Sequence, residues 1–539
     1  MFLICTDRDA GIRSVARLSS SLRGITCGPI ESVPLKDRWL AWSSCKAHEN
    51  LHVFADGIII GKLDFQEPHS DRRIYHVGNM PAALHPLATG LRISTREHRT
   101  LVQPFGITNA FYAGGCVSDM QLLIADVEGF VPSPEGVAVL ASVGFFPGNI
   151  TLFQEIRKIP LLATYDVDTG QLTTSARIPY RTPDDRALLE RLKSIVPDHP
   201  SQYLALSGGY DSRLVLGVMR QRGILPHLLH FQGAETEAVH SIADQLGLPC
   251  TTITDATAPL LAPEVYTLIT DAQIYFRGGN YSRARNEIRR GSLFHMGLFS
   301  DSVVKNTYPK AVRYRRIGTN IQEALVAFAL LLLDGDRIPG LCEFNSLETL
   351  KSYLLQELSF GYEYCSFRTN QEWANWFQYL HAGLRWTPAH VADLSPFVQP
   401  VFLLSDLQAL SLGISSGAWA NFACARLRRL NAGLLPGVTV PYYDAGPYRP
   451  QKAMPEAWTK VRSEYLNGDY VRKHVLGLAK PARYQASSVG VDEEVSVNAR
   501  DFRRYFTGDF DQIARGADYP RSLRRAAITV GHALQFLGH

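Results

Sequence analysis

Short apolar runs separated by turn signals dominate the chain up to about residue 175. Residues 51–54 and 57–61 flank Asp56 and Gly57, residues 120–125 form another such run, and Pro132, Pro134, Pro147 and Gly148 punctuate the remainder. This spacing predicts strands in layered sheets. The texture changes near residue 180, where Pro183, Asp184 and Asp185 precede a segment, 186–196, whose apolar residues recur at helical spacing. A domain boundary at 176–182 follows, dividing the chain into domains 1–178 and 179–539. Beyond it, the pattern predicts a strand at 203–206, a serine-glycine turn and a helix through 214–219. A second unit follows, with a strand at 228–231, a helix at 235–246 and a strand at 250–253. Alternating strands and helices predict a parallel sheet covered by helices. From residue 320 the signals are mostly helical, with Trp373, Trp376, Phe377 and Tyr379 suited to aromatic packing. The apolar stretch 324–333, closed by Asp334, Gly335 and Asp336, is too short to span a bilayer and predicts a buried helix.

Composition narrows the classes. The chain has 539 residues, is 46% hydrophobic and carries 55 Lys and Arg against 51 Asp and Glu. A charge so nearly balanced argues against a dedicated nucleic-acid binder, whose affinity rests on neutralising phosphates, while leaving room for a local basic pocket. Eight scattered cysteines show no CxxC pair and no metal-ligand spacing, and the opening run Phe2, Leu3, Ile4, Cys5 is too short for an export signal. The expectation is a reduced, cytoplasmic protein that binds neither nucleic acid nor membrane.

Chemistry concentrates in Ser207, Gly208, Gly209, Tyr210, Asp211 and Ser212, which follow the strand residue Leu206. The glycines admit close backbone approach, the serines offer hydroxyls, and the helix that follows presents its first amides, all suited to a phosphate group. A bare carboxylate beside polyphosphate is repulsive unless a cation bridges them, so Asp211 is expected to be a magnesium ligand.

The turn resembles the pyrophosphate loop of the ATP-pyrophosphatase superfamily, and residues 115–455 resemble the asparagine-synthetase-like branch. That resemblance implies an α/β and α+β two-domain architecture. An amino-terminal glutaminase-type (Ntn-type) β-sandwich precedes a parallel-sheet domain, with a helical carboxyl-terminal part, that adenylates a carboxylate. Residues 148–160 are similar to the family's closing segment of the first domain. His230, Phe231, Gln232 and Gly233 are similar to the strand end that receives adenine, which makes Phe231 a binding candidate. A glycine-rich turn ending in aspartate, about ninety residues beyond the loop, completes the family's magnesium site. Gly297 through Asp301 fall at that distance, so Asp211 and Asp301 are the expected metal pair. The segment with Pro436, Asp444 and Arg449 resembles the stretch bearing the family's catalytic lysine, which selects Lys452, with Lys460 second. Such a lysine stabilises charge on departing pyrophosphate and on the attacked carbonyl.

Two departures narrow the chemistry further. Leu298 stands where asparagine synthetases carry glutamate and β-lactam synthetases tyrosine, and Phe299 replaces a glycine. The second residue is Phe2 and Cys5 lies inside an apolar run, so the terminal-cysteine nucleophile of a glutaminase is missing and the first domain is expected to be degenerate. Nine basic residues between 281 and 316, against Glu287 and Asp301, are expected to steer ATP or an acidic peptide into the cleft. The expected function is an ATP- and Mg²⁺-dependent, AMP-forming amide ligase. By analogy with lasso-peptide cyclases it closes a macrolactam in a peptide substrate, with a precursor peptide and a companion protease as partners. The alternatives are a β-lactam-synthetase-like or other amidating enzyme acting on a small-molecule or polysaccharide carboxylate, a catalytically silent ATP-binding scaffold subunit, and an RNA-modifying ATP-pyrophosphatase that adenylates a base, which the balanced charge and lone cysteines fit poorly.

Overall fold

The computed structural model describes residues 1–22, 25, 27–35, 37–44, 50–61, 73–75, 77, 79–81, 84–88, 90–95, 99–105, 108–174, 177–179, 181–233, 235–254, 261–274, 281–305, 325, 347–359, 364–365, 367–414, 425–440, 502–506, 513 and 521–539. Two sheets fill the amino-terminal part. One runs in spatial order β11 (Arg157–Lys158), β9 (Phe111–Ala113), β10 (Cys116–Ser118), β1 (Phe2–Cys5), β3 (Arg38–Trp42), β2 (Glu31–Leu35) and is antiparallel throughout. The other runs β13 (Gln171–Thr174), β12 (Ala163–Asp166), β8 (Leu101–Phe105), β7 (Gly90–Ser94), β5 (Gly57–Gly61), β4 (Asn50–Phe54), β6 (Arg73–Tyr75). It is antiparallel except for the β4–β6 pair. Alternation along each strand sends every second side chain to one face. Phe2, Ile4, Leu40 and Trp42 of the first sheet thereby share an apolar cluster with Leu51, Ile60, Leu91 and Ile93 of the second.

The opposite face of the first sheet carries helices. Asp7 caps α1 (Arg8–Ser21) by accepting from the Asp9 and Ala10 amides, while α2 (Gln121–Glu128) and α3 (Pro134–Val143) complete the layer. The run 120–125, expected as a strand, is thus mostly helix. The reason lies in tertiary structure: Met120 supplies no side-chain cap, and both oxygens of Asp271 accept from the Gln121 and Leu122 amides, at 2.7 and 2.9 Å. Capping from a residue 150 positions away leaves no local signal.

After α4 (Asp185–Ser194), which Asp184 caps, five strands form a wholly parallel sheet. Its order is β16 (Cys250–Ile253), β15 (His227–Phe231), β14 (Gln202–Ala205), β17 (Leu293–His295), β18 (Gln399–Val401). The first strand in sequence, β14, is central. The chain moves to one side through α5 (Tyr210–Gln221), β15, α6 (Thr236–Leu246) and β16, then returns past α7 (Pro263–Ile269) to the other side of β14 at β17. Such a reversal opens a crevice at the carboxyl ends of the two strands flanking it. Helices Leu347–Glu357, Asn370–Phe377, Leu384–His390, Leu407–Gly413, Ala425–Leu434 and Arg521–Leu537 follow.

One apolar cluster runs from Met1 to Phe536 across the boundary region, and helix Arg521–Leu537 packs on both α3 and α7. Polar ties also cross that boundary: Arg385 Nη1 donates to Asn109 Oδ1 at 3.0 Å, and Asn109 Nδ2 donates to Gln273 Oε1 at 2.8 Å. Cys27 is disulfide-bonded, which corrects the expectation of uniformly reduced thiols. Among the described residues no helix is long and apolar enough to cross a membrane. Of the apolar stretch 324–333 only Leu325, helical and buried, is described.

Candidate nucleotide site at the carboxyl edge of the parallel sheet

The residues expected to bind phosphate lie at the carboxyl end of β14, beside the reversal of the sheet. Leu206 extends the β14–β15 ladder through its amide to Leu229 O at 2.8 Å, and the chain then turns directly into α5. Ser207 and Ser212 close the turn: the Ser207 amide donates to Ser212 Oγ at 3.1 Å, and the two hydroxyls lie 3.1 Å apart. Gly209 is the N-cap residue, its amide donating to Ser207 Oγ at 3.3 Å. Its φ of −80° is open to any residue, so glycine is not required there by backbone conformation. Space is the better reason. Among the described residues, a Cβ at Gly209 would meet only Ser207 Oγ within 4 Å, and the α5 amino terminus has no side-chain cap. A helix amino terminus whose N-cap residue brings no side chain fits an anion such as a phosphate group. Asp211, half-buried, stands in that first turn.

The second predicted loop meets the first. A Cβ on Gly297 would lie 2.6 Å from both Asp211 C and Ser212 N and 2.9 Å from Asp211 O, so only glycine permits this contact between the two backbones. Asp301 begins a π-helical turn, Asp301–Lys305, four residues later; its side chain is outside the described residues. Lys452 and Lys460 also lie outside them. No cluster of three or more metal-ligating side chains occurs among the described residues. Two carboxylates completed by phosphate oxygens, the usual way Mg²⁺ accompanies a nucleotide, need none.

Phe299 explains how the second loop is held. It adopts φ +71°, in the left-handed region that costs a non-glycine residue about 1–2 kcal/mol. Its ring is buried 5.6 Å from the Tyr379 ring and 5.7 Å from that of Phe402, over Gly383, where a Cβ would come within 3.1 Å of it. Burying a phenyl ring contributes about 1.5–3 kcal/mol, enough to offset the strain. The aromatic anchor therefore secures the loop that brings Gly297 against Asp211. Phe299→Ala should cost roughly 3–5 kcal/mol in urea unfolding. Phe299→Gly should be the more stable of the two variants by about 1 kcal/mol, because glycine relieves the left-handed strain. Alanine proving more stable than glycine here would contradict that account of the backbone.

Phe231, half-buried at the end of β15, meets Tyr281 edge-to-face at 5.4 Å. His230 is buried, with Nδ1 3.2 Å from Leu206 O and Nε2 2.9 Å from Thr236 Oγ1, and its burial lowers its pKa. It links the ends of β14 and β15 to the start of α6. The basic segment does not act as expected throughout. The Arg289 amide donates to the Tyr203 hydroxyl at 3.3 Å and the Gly291 amide to Phe397 O, which puts Arg289 and Arg290 at the amino edge of the sheet, away from the turn. Cys5, on the helix-facing side of β1, is buried and its thiol is pushed up to about 11, chiefly by desolvation. A thiol held protonated in this way is a poor nucleophile.

Two groups at the site were not singled out from the sequence. Glu235, immediately before α6, accepts from the Gly208 amide through Oε2 at 2.6 Å. Arg213, buried in α5, donates from Nη2 to Gly208 O at 2.8 Å and from Nη1 to Val440 O at 2.7 Å. A signal for Arg213 was present: it is the one charge among the residues between Ser212 and Met219, where the pattern predicts a buried helix face, and such charges are rare unless partnered. No protein-family model matches the chain, and no curated protein matches it.

Proposed function

We propose that the protein is an ATP-dependent, AMP-forming amide ligase. The observation that carries this reading is the meeting of the turn Ser207 to Ser212 with the Gly297 loop at the carboxyl ends of β14 and β17, where the sheet reverses its winding. A site there would set a triphosphate against the amino terminus of α5, whose dipole favours an anion, with Asp211, and Asp301 from the second loop, as the residues to hold Mg²⁺. The cation would neutralise charge on the phosphates. In the proposed reaction a substrate carboxylate oxygen attacks the α-phosphorus and pyrophosphate leaves. An amine then attacks the acyl carbon, AMP departs, and the amine proton is lost to a base. Phe231 and Tyr281 supply an aromatic edge beside the turn that suits adenine. Lys452 is the candidate to offset charge on the departing pyrophosphate.

The buried thiol of Cys5 favours an amine that belongs to the substrate over ammonia released from glutamine. A peptide whose terminal amine closes onto an Asp or Glu side chain is the substrate class favoured here. Isotope exchange of labelled pyrophosphate into ATP, measured with linear peptides of this kind, tests the reading. Mg²⁺-dependent exchange and a peptide product lighter by one water are expected. MgATP binding without exchange or AMP at saturating Mg²⁺, with any carboxylate offered, would favour a silent nucleotide-binding subunit.

A further inference from the structure

We infer that Arg213 and Glu235 are positioning residues that clamp the Gly208 peptide, fixing the shape of the proposed nucleotide turn and tying it to the chain at Val440. The inference rests on the proposed reading of the turn. Both polar atoms of Gly208 are held: its amide by Glu235 Oε2 at 2.6 Å and its carbonyl by Arg213 Nη2 at 2.8 Å. The grips come from different elements, Arg213 from α5 and Glu235 from the residue preceding α6.

Arg213 is 4% exposed, and its guanidinium lies 5.5 Å from the centre of the Tyr210 ring, on a helix whose other buried residues include Leu214, Val215, Leu216 and Val218. Packing alone would be met there by leucine or methionine, without the desolvation cost of a buried cation. An arginine fork does what no apolar side chain can: from one position it reaches two carbonyl oxygens, Gly208 O and Val440 O, that are far apart in sequence. Val440 precedes Lys452 by twelve positions. The same guanidinium therefore ties the turn to the chain at Val440. With the Gly208 amide engaged by Glu235 and the Ser212 hydroxyl donating to Ser207 O at 3.3 Å, the turn meets a phosphate with the amino terminus of α5, and the clamp sets where that terminus points.

Calorimetric titration of the full chain with MgATP separates positioning from mere structural support. It reports the fraction of competent protein as stoichiometry and the quality of each site as Kd. Arg213→Lys keeps the charge but cannot bridge both carbonyls, and should raise Kd about 10- to 100-fold at unchanged stoichiometry. Glu235→Ala should raise it about tenfold by releasing the Gly208 amide, whereas Glu235→Gln, which keeps an acceptor oxygen and takes a negative charge from beside the phosphates, should bind at least as tightly as the parent. The double variant R213K/E235A should bind no more weakly than Arg213→Lys alone, because both changes release one peptide. If Arg213→Lys fails to fold, Glu235→Ala and Glu235→Gln carry the test from the partly exposed arm of the clamp. Reduced stoichiometry with parental Kd in Arg213→Lys, or parental Kd in Glu235→Ala, overturns the inference while leaving the proposed function standing. Absence of MgATP binding by the parent chain overturns the reading of the turn, and this inference with it.

Discussion

Asp211→Asn should lower AMP formation by roughly 10³-fold or more, equivalent to about 4 kcal/mol of lost transition-state stabilisation, while the melting temperature moves little. The two effects separate because of where the residue sits. Asp211 is half-buried in the first turn of α5, next to a glycine N-cap. Its charge contributes only about 0.3–1 kcal/mol to the fold through the helix dipole, and asparagine preserves its shape. The proposed chemistry, by contrast, needs an anionic oxygen to hold the cation against the phosphates, and an amide supplies that poorly. AMP release and thermal unfolding, measured on one preparation, check both halves. Unchanged turnover would remove Asp211 from the site.

Gly297→Ala carries the second large effect. Its Cβ would meet Asp211 C and Ser212 N at 2.6 Å, distances at which something must shift, and the atoms in the way belong to backbone, which yields less readily than the end of a side chain. The loop must withdraw from α5, and such overpacking typically costs about 1–3 kcal/mol. Because the shift occurs against the backbone of Asp211, an expected metal ligand, activity should fall further than stability, by about 10²-fold, the scale on which small misplacements act. Urea unfolding and the rate of pyrophosphate exchange test this together. Full activity would mean that the contact between the loops is incidental to function.

The strand, turn and helix from β14 to α5 were legible because their determinants are local. A buried strand, two glycines and an apolar helix are written consecutively, and the structure shifts their limits by only a few residues: the strand expected at 203–206 is Gln202–Ala205, and that expected at 250–253 is Cys250–Ile253. Gly297 was legible through its resemblance to a family element, while its physical reason, the approach to Asp211, appears only in three dimensions. What escaped the sequence depends on distant partners. Helix α2 is capped by Asp271, and Glu235 reaches Gly208 across 27 positions, so neither leaves a periodic trace. Arg289 and Arg290 showed the converse. Proximity in sequence to the second loop suggested proximity to the cleft, but the intervening strand β17 carries the chain from one edge of the sheet to the other. Phe299 combined both kinds of information, since its place in a glycine position was visible while its aromatic anchor on Tyr379 and Phe402 was not.

A crystal structure of the chain with ATP and Mn²⁺ in place of Mg²⁺ addresses the central claim most directly, because manganese is located by its anomalous scattering. The account predicts triphosphate density against the residues from Ser207 to Ser212, and a manganese peak within coordinating range of carboxylate oxygens of both Asp211 and Asp301, about 2.1 Å for the metal it replaces. Nucleotide bound elsewhere, or manganese held without either aspartate, would contradict it.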